Sequence, residues 1–349
     1  RMRQACRALT NLPRRVAVRR PTSHYPIPLM GAGASAPQAH ELLQKQDATT
    51  SAQIIELLGD DAGFAKLALA EGQGIVARDA EDAEKLAAGV ASSVASGVLP
   101  ALETPPVYVE IDVLGKTPDE VAGLIIAGLG AAAETGCVVV LCGLSGTGKG
   151  TTVSKLGELL PAGKTTGWSN GDVFRALTLL AATWCEQQGL AEFDAEKALT
   201  PENVASFVSM LGFGEVEGSW DISIKGLGVD ARVSAIKNTD LKGPKVSKNI
   251  PTVAERTQGE VVKFASAATN QMGAAGLIVL LEGREATVNY IDSPHRFTLT
   301  MSDASVIGRR RAAQRIAAAA LAAVGAEATD DATVLDAIRA ETAKMAAAC

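Results

Sequence analysis

A strand-like run followed directly by a glycine-rich turn constrains the fold of this chain more than any other feature. Residues 137–142 read CVVVLC, a continuous apolar run expected of a central parallel strand that is covered on both faces. The next nine residues read GLSGTGKGT, which places Gly143, Gly146 and Gly148 before Lys149. Glycine lets successive backbone N–H groups turn inward, and a helix that starts here adds partial positive charge. The pattern predicts a strand, a phosphate-binding loop and a helix.

The polar side chains of this loop suit a nucleoside triphosphate with its Mg²⁺. The ammonium group of Lys149 can reach the β- and γ-phosphates, and a hydroxyl that follows can reach the metal. Gly150 comes next, so Thr151 supplies the nearest hydroxyl, and the implied cofactors are ATP and Mg²⁺. A glycine-rich turn with a fortuitous lysine is the alternative. The predicted phosphate-binding residues are Gly143, Ser145, Gly146, Thr147, Gly148, Lys149, Gly150 and Thr151.

Strand-like and helix-like segments alternate from residue 107 onward. Strands are predicted at 107–113, 137–142, 276–283 and 296–301, and helices at 118–129, 149–160, 171–188, 252–271 and 303–324. Thr117 and Glu120 have the spacing of a capping box for the first of these helices. Residues 220–224 and 227–233 predict a β-hairpin. The order predicts an α/β fold with a mostly parallel sheet, helices on both faces and a small β insert.

The chain before residue 106 has a different composition. Its first 40 residues hold seven arginines and no Asp, Glu or Lys, so they contribute +7 to a net charge of −6 and the rest carries −13. Residues 1–36 are predicted to be an organelle-targeting segment of a soluble or peripherally associated mitochondrial or plastid protein, with a solvated basic tail as the alternative. Residues 37–105 are Ala-rich and interrupted by glycines, which predicts an accessory region of short helices before an α/β domain at 106–349.

Composition also argues against several classes of protein. An acidic chain with a pI near 5.3 is not expected to bind nucleic acid through a basic surface. Five scattered cysteines and three histidines lack the spacing of a zinc site. Residues 121–142 are long enough to span a bilayer, with Glu134 as their only charge, but their glycines and the loop that follows favour a buried helix and strand.

Several segments, in order, resemble the cytidylate kinase family of nucleoside monophosphate kinases. These are the Lys-Gly-Thr ending of the loop, SNGDVFRALTLLA at 169–181, the hairpin, EGRE at 282–285 and DSP at 292–294. The resemblance covers about residues 137–316. It implies transfer of a phosphoryl group from ATP to a pyrimidine nucleoside monophosphate, with residues about 190–250 forming the acceptor-binding insert.

The resemblance also assigns roles to side chains outside the loop. Arg175 would hold the phosphate of the acceptor, and Arg284 would lie near its base and phosphate, where a guanidinium can form paired hydrogen bonds. Lys149 and these two arginines are the predicted catalytic residues. Thr151 and Glu282 would hold Mg²⁺, the latter through water. The predicted acceptor-binding residues are Asn170, Arg175, Thr257, Arg284 and Glu285.

Two departures from the family pattern bear on these assignments. Ser266 lies near a position where the family has an arginine, and the chain ends where the family continues into an arginine-rich lid, a last strand and a final helix. The strand and helix at 107–129 therefore predict a circular permutation, with the missing unit at the front of the chain. Arg78 is then a candidate lid residue, and the arginines at 309–315 are candidates for additional charge at the site.

A function of another class also fits the sequence. The front helical region, Ser266 and the missing lid add weight to the alternative of a catalytically degenerate nucleotide-binding or structural subunit of a large organelle assembly, although the enzyme is the favoured prediction. Nucleotides are the expected partners in both cases, with no nucleic acid and no transmembrane span.

Overall fold

The computed structural model describes residues 38–325, 327 and 330–349. The predicted targeting segment at 1–36 lies outside these residues. The described elements, in chain order, are α1 (Gln38–Lys45), α2 (Ala48–Leu57), α3 (Ala62–Ala95), β1 (Val109–Asp112), α4 (Pro118–Leu129), α5 (Ala132–Thr135), β2 (Cys137–Gly143), α6 (Lys149–Leu159), β3 (Thr165–Trp168), α7 (Asn170–Gln187), α8 (Ala195–Ala198), α9 (Pro201–Ser209), β4 (Leu211–Val216), β5 (Ser219–Gly226), β6 (Val229–Arg232), α10 (Val233–Ile236), a 3₁₀ turn (Asp240–Lys242), α11 (Pro244–Ser247), α12 (Ile250–Arg256), α13 (Gln258–Ala274), β7 (Ile278–Glu282), α14 (Glu285–Val288), β8 (His295–Thr300), α15 (Ser305–Val324) and α16 (Asp331–Ala348).

Five parallel strands form the main sheet, in the order β1-β8-β2-β7-β3. The central strand β2 pairs with β7 on one side and with β8 on the other, so Val139 lies between Leu280 and His295. The predicted α/β fold with a parallel sheet flanked by helices is therefore confirmed. The segment predicted as a strand at 107–113 also joins this sheet, where β1 pairs in parallel with β8 at the edge.

The two faces of the sheet belong to two apolar clusters because side chains alternate along a strand. Along β2, Val139 packs with Ile125 of α4 and Leu156 of α6, whereas Val140 packs with Met272 of α13. The continuous apolar run of the sequence thus lies between helices on both sides, as the absence of alternation predicted.

The apolar segment at 121–142 is divided among α4, α5 and β2 rather than forming one helix. Within the described residues, no helix has both the length and the apolar character needed to cross a membrane. The predicted cap of α4 is confirmed, since Thr117 Oγ1 accepts from the Glu120 N–H and the Glu120 carboxylate accepts from the Thr117 N–H.

The predicted hairpin is part of a three-stranded antiparallel sheet in the order β4-β5-β6. Sequence reasoning missed β4 of this sheet and β3 of the main sheet. Strand β4 reads LGFGEV, and its two glycines conceal the alternation typical of a strand. The single helix predicted at 252–271 is two helices, α12 and α13, which meet at Thr257.

The prediction of short helices throughout 37–105 is wrong for its central part. Helix α3 runs for 34 residues and continues through glycines that predict breaks in a helix. Gly72 lies against α15, where a methyl group on Gly308 would overlap the Ala68 carbonyl oxygen and lie 3.1 Å from the Gly72 Cα. These glycines allow two helix backbones to approach closely. Accordingly, α1, α2 and α3 share one apolar cluster with α15 and α16.

Candidate functional site

The glycines of the predicted phosphate-binding loop have backbone angles that other residues rarely adopt. Gly143, Gly146 and Gly148 have φ values of 139°, 84° and 88°. Space is also limited, because a Cβ on Gly143 would overlap the carbonyl oxygen of Leu299 and one on Gly146 would lie 2.6 Å from Ile307 Cγ2. The local fold therefore requires glycine at Gly143 and Gly146, and the backbone angle favours glycine at Gly148.

The lysine of the loop is held by the loop itself. Lys149 Nζ donates to the carbonyl oxygens of Gly143, at 2.8 Å, and Leu144, at 3.0 Å. Thr147 is buried, and its hydroxyl donates to the same Leu144 oxygen at 2.8 Å. Burial and the nearby Arg284 lower the pKa of Lys149, while the Glu282 carboxylate acts in the opposite direction. The ammonium group thus lies within the turn that joins β2 to α6.

The next strand of the sheet brings two more predicted residues to this loop. Register pairs Leu141 with Glu282, and the Gly283 N–H donates to the Leu141 carbonyl oxygen at 3.1 Å. Glu282 Oε1 comes within 4.0 Å of the position that a Cβ on Gly150 would take. Because parallel strands end at the same edge of the sheet, Glu282 and Arg284 lie beside the first turn of α6.

An acidic residue that sequence reasoning missed lies between the loop and Arg284. Asp79 of α3 accepts from the Ser145 N–H at 2.6 Å and from the Ser145 hydroxyl at 2.6 Å. Its carboxylate also accepts from Arg284 Nη2 at 2.7 Å. Arg284 Nη2 lies 3.3 Å from both Asp82 Oδ2 and Ser145 Oγ. We call Asp79, Ser145 and Arg284 the carboxylate cluster.

The charge of Asp79 is strongly favoured in this setting. The side chain is only 5% exposed, and burial alone would raise its pKa. The hydrogen bonds from Arg284 and Ser145 outweigh that effect and hold the pKa of Asp79 at about 2. Contact with Asp79 in turn raises the pKa of Arg284. The cluster is therefore an ion pair between a buried carboxylate and a partly exposed guanidinium, anchored on a backbone N–H of the loop.

The residues predicted for the acceptor occupy two different environments. Asn170 begins α7 directly after β3, and β3 pairs with β7, so it lies at the same sheet edge as Arg284. Its side-chain oxygen accepts from Trp168 Nε1 at 2.7 Å. On the same helix, Arg175 Nη1 lies 3.2 Å from Asp172 Oδ1.

The other predicted acceptor contacts differ sharply in exposure. Glu285 is exposed at the start of α14, next to Arg284. Thr257 is 1% exposed at the junction of α12 and α13, and its hydroxyl donates to the Val253 carbonyl oxygen at 2.8 Å. Ser266 Oγ accepts from the Asp292 N–H at 3.4 Å. The sheet edge thus groups Asn170, Arg284 and Glu285, while the Thr257 hydroxyl is buried at the end of α12 and bonds to a carbonyl oxygen of that helix.

The predicted metal-binding residues lie on the exposed side of the loop. Thr151 is exposed in the first turn of α6, and Glu282 is exposed at the end of β7. Thr152, the next hydroxyl, is buried. Across the described ranges, no three His, Cys, Asp or Glu side chains are grouped so that they could hold a metal ion by themselves. A metal at this edge would need phosphate or water oxygens in addition to protein ligands.

The arginines predicted as a lid residue or as additional charge at the site lie on two helices, Arg78 on α3 and those at 309–315 on α15. Arg315 pairs with Glu71 of α3, and Arg309 Nη2 lies 3.7 Å from the position of a Cβ on Gly59. Arg78, the candidate lid residue, is exposed, and its Nε donates to the Gly74 carbonyl oxygen at 3.3 Å. Its neighbour Asp79, rather than Arg78, makes the contact between α3 and the loop, through Ser145.

Comparisons of the chain with protein-family models, with curated proteins and with solved structures find no match. The resemblance to cytidylate kinases therefore stays a prediction from residues. A fold of this class hosts many activities, so a functional conclusion has to come from the geometry of the site.

Proposed function

We propose that the chain binds a nucleoside triphosphate at residues 143–151 and transfers its terminal phosphoryl group to a pyrimidine nucleoside monophosphate. The observation that carries this proposal is the placement of Lys149, Glu282 and Arg284 around one glycine-rich turn at the carboxyl edge of a parallel sheet. Ligands of open α/β sheets bind at this edge. Phosphoryl transfer depends on alignment and positive charge more than on covalent chemistry of the protein.

The loop offers the groups needed on the triphosphate side. The first turn of α6 presents free backbone N–H groups and the positive end of its dipole. Lys149 lies within this turn, so a modest change of its side chain away from the loop carbonyls brings the ammonium group to a phosphate. Thr151 and Glu282 are the residues that we expect to hold Mg²⁺, with the phosphate oxygens completing its shell.

The neighbouring strands offer the groups needed on the acceptor side. Arg284 follows β7, and Asn170 and Arg175 follow β3, so both segments begin where the sheet ends. Two guanidinium groups and an amide suit the phosphate and the polar edge of a nucleotide base. The acceptor and the triphosphate would then meet above the ends of β2 and β7.

The position of β1 supports the hypothesis of a circular permutation. This strand extends the sheet beyond β8 and is followed by α4, whose end leads through α5 into β2. A front segment therefore supplies the outer strand that the resemblance leads us to expect from the end of the chain. Without it, β8 would be an open edge.

Turnover with a panel of acceptors tests the proposal. Purified protein, ATP and Mg²⁺ are incubated with CMP, UMP, dCMP or AMP, and ADP release is measured. We expect turnover with a pyrimidine monophosphate, and a loss of at least about a hundredfold in Lys149→Ala, because the variant lacks a positive charge that would stabilise the transferred group. Lys155→Ala is the matched control, since Lys155 lies on the same helix and pairs with Glu158 instead. Turnover that is absent with every acceptor contradicts the proposal.

The carboxylate cluster favours the second candidate function, a nucleotide-binding subunit without catalysis in an organelle assembly. Arg284, which the kinase proposal needs at the acceptor, is paired with Asp79. ATP binding by calorimetry, combined with no ADP release for any acceptor, would select this candidate over the kinase.

A further inference from the structure

Asp79 makes the contacts that a bound phosphate would make with the same groups. A backbone N–H of a glycine-rich loop, a hydroxyl and a guanidinium are the usual donors to a phosphate oxygen. In this structure all three donate to the two oxygens of one carboxylate, over 2.6–2.7 Å. The groups come from segments 66 and 205 residues away from Asp79, so the contact is a product of the tertiary fold.

Helix α3 is held on both sides of Asp79. Toward its N-terminus, Gly72 packs against Gly308 of α15, and toward its C-terminus a Cβ on Gly89 would lie 3.2 Å from the side chain of Gln258. The backbone around Asp79 is therefore fixed by close contacts with two other helices. The carboxylate is presented to the loop at a set position, and only its side chain has freedom to leave.

We infer that Asp79 is an internal competitor of phosphate at this loop. While Asp79 accepts from Ser145 and Arg284, a phosphate group that approaches the same donors meets a buried negative charge. Binding of a nucleotide then requires that Asp79 and Arg284 separate, which also frees Arg284 for the acceptor. The inference rests on the proposed phosphate-binding role of residues 143–151 and adds a regulatory contact to it.

The low pKa of Asp79 bears on whether a change of pH can break its contact with Ser145 and Arg284. A carboxyl with a pKa of about 2 stays ionised throughout the physiological pH range. Lys149, Asp82, Glu282 and Glu285 are other charged groups near Arg284. Burial, rather than Asp79, is the main cause of the lowered pKa of Lys149. A change of pH in the cell therefore leaves the contact closed, and a ligand has to displace it.

Calorimetric titration with ATP and Mg²⁺ tests the competition. We expect Asp79→Asn to bind ATP at least about tenfold more tightly than the wild type, because the variant keeps the shape of the side chain and loses its charge. Asp82→Asn is the matched control. Asp82 is exposed, lies 3.3 Å from the same Arg284 nitrogen and has no hydrogen bond to Ser145 within the described part of the chain, so we expect a change of less than about twofold.

Amide hydrogen exchange, measured without nucleotide, tests the hydrogen bond between the Ser145 N–H and Asp79 independently of ATP binding. The Ser145 N–H should exchange faster in Asp79→Asn and in Asp79→Ala than in the wild type or in Asp82→Asn, with circular dichroism confirming that each variant folds. Faster exchange together with tighter ATP binding supports the inference. Equal ATP affinity in the wild type and Asp79→Asn overturns the inference and leaves the proposed function standing. Failure of every folded variant to bind ATP overturns both.

Discussion

Glycines serve two different purposes in the two regions of the molecule that meet at Asp79. In the loop at 143–151, Gly143, Gly146 and Gly148 adopt positive φ values, whereas the glycines of α3 have ordinary helical angles, and Gly72 and Gly89 make room for neighbouring helices. The first purpose is local and can be recognised from a few consecutive residues. The second depends on a partner far away in the sequence, and the same residue type then strengthens a helix contact instead of ending the helix.

The largest loss of stability is expected from Gly308→Ala, which tests whether glycines allow α3 and α15 to pack closely. A methyl group there would overlap the Ala68 carbonyl oxygen, and a helix backbone cannot move aside as a flexible side chain can. We expect the free energy of unfolding to fall by about 3 kcal/mol. Urea denaturation followed by circular dichroism measures it. A loss below about 1 kcal/mol would show that α3 and α15 are not packed backbone to backbone.

Substitution of two loop glycines by alanine distinguishes the destabilisation caused by lack of space from that caused by an unfavourable backbone angle. Gly143→Ala combines a positive φ with overlap of the Leu299 carbonyl oxygen, and we expect it to cost about 3 kcal/mol. Gly148→Ala has the positive φ but nothing within 4 Å, so about 1 kcal/mol is expected. Both values come from the same denaturation experiment. Equal losses in the two variants would contradict the assignment of separate causes.

The contact between the two regions predicts a specific dependence of stability on pH. The pKa of Asp79 falls from an ordinary 3.8 to about 2 on folding, so its contribution is present above about pH 4 and is lost as the pH falls toward 2. That contribution is about 2 kcal/mol. We expect the difference in unfolding free energy between the wild type and Asp79→Asn to shrink by this amount from about pH 5 to about pH 2. A constant difference would mean that Asp79 titrates normally.

The elements whose cause is local could be predicted from sequence. Strand β2, the loop, α6 and the cap at Thr117 each depend on a short run of residues, and the parallel sheet follows from their order. The site could be predicted in part for the same reason, since Lys149 and Arg284 lie in short motifs next to strands.

The rest depends on contacts between distant segments. Asp79 lies in an Ala-rich helix with no motif around it, and the packing of α3 on α13, α14 and α15 brings it to Ser145. Thr257 resembled a base contact because its neighbourhood matched a family pattern, yet its hydroxyl is buried where two helices meet. The sequence around Asp79 carries no signal for its role, because its partners, Ser145 and Arg284, are brought to it by the tertiary fold. For Thr257, the local sequence does not show that the junction of α12 and α13 buries its hydroxyl against the Val253 carbonyl oxygen.

The smallest effect comes from a glycine of α3 that packs against nothing. A methyl group added to Gly74 would have no atom within 4 Å, and the same holds for Gly123 in α4. Alanine is preferred over glycine within an exposed helix, so both Gly74→Ala and Gly123→Ala should raise the free energy of unfolding by about 0.5–1 kcal/mol. Gly123 serves as the control because sequence alone already predicted its helix. Stabilisation at 123 without stabilisation at 74 would mean that the chain is not helical around residue 74 in solution. In that case the glycines of α3 would be breaks after all, and Asp79 would lose the rigid helix that presents it to the loop.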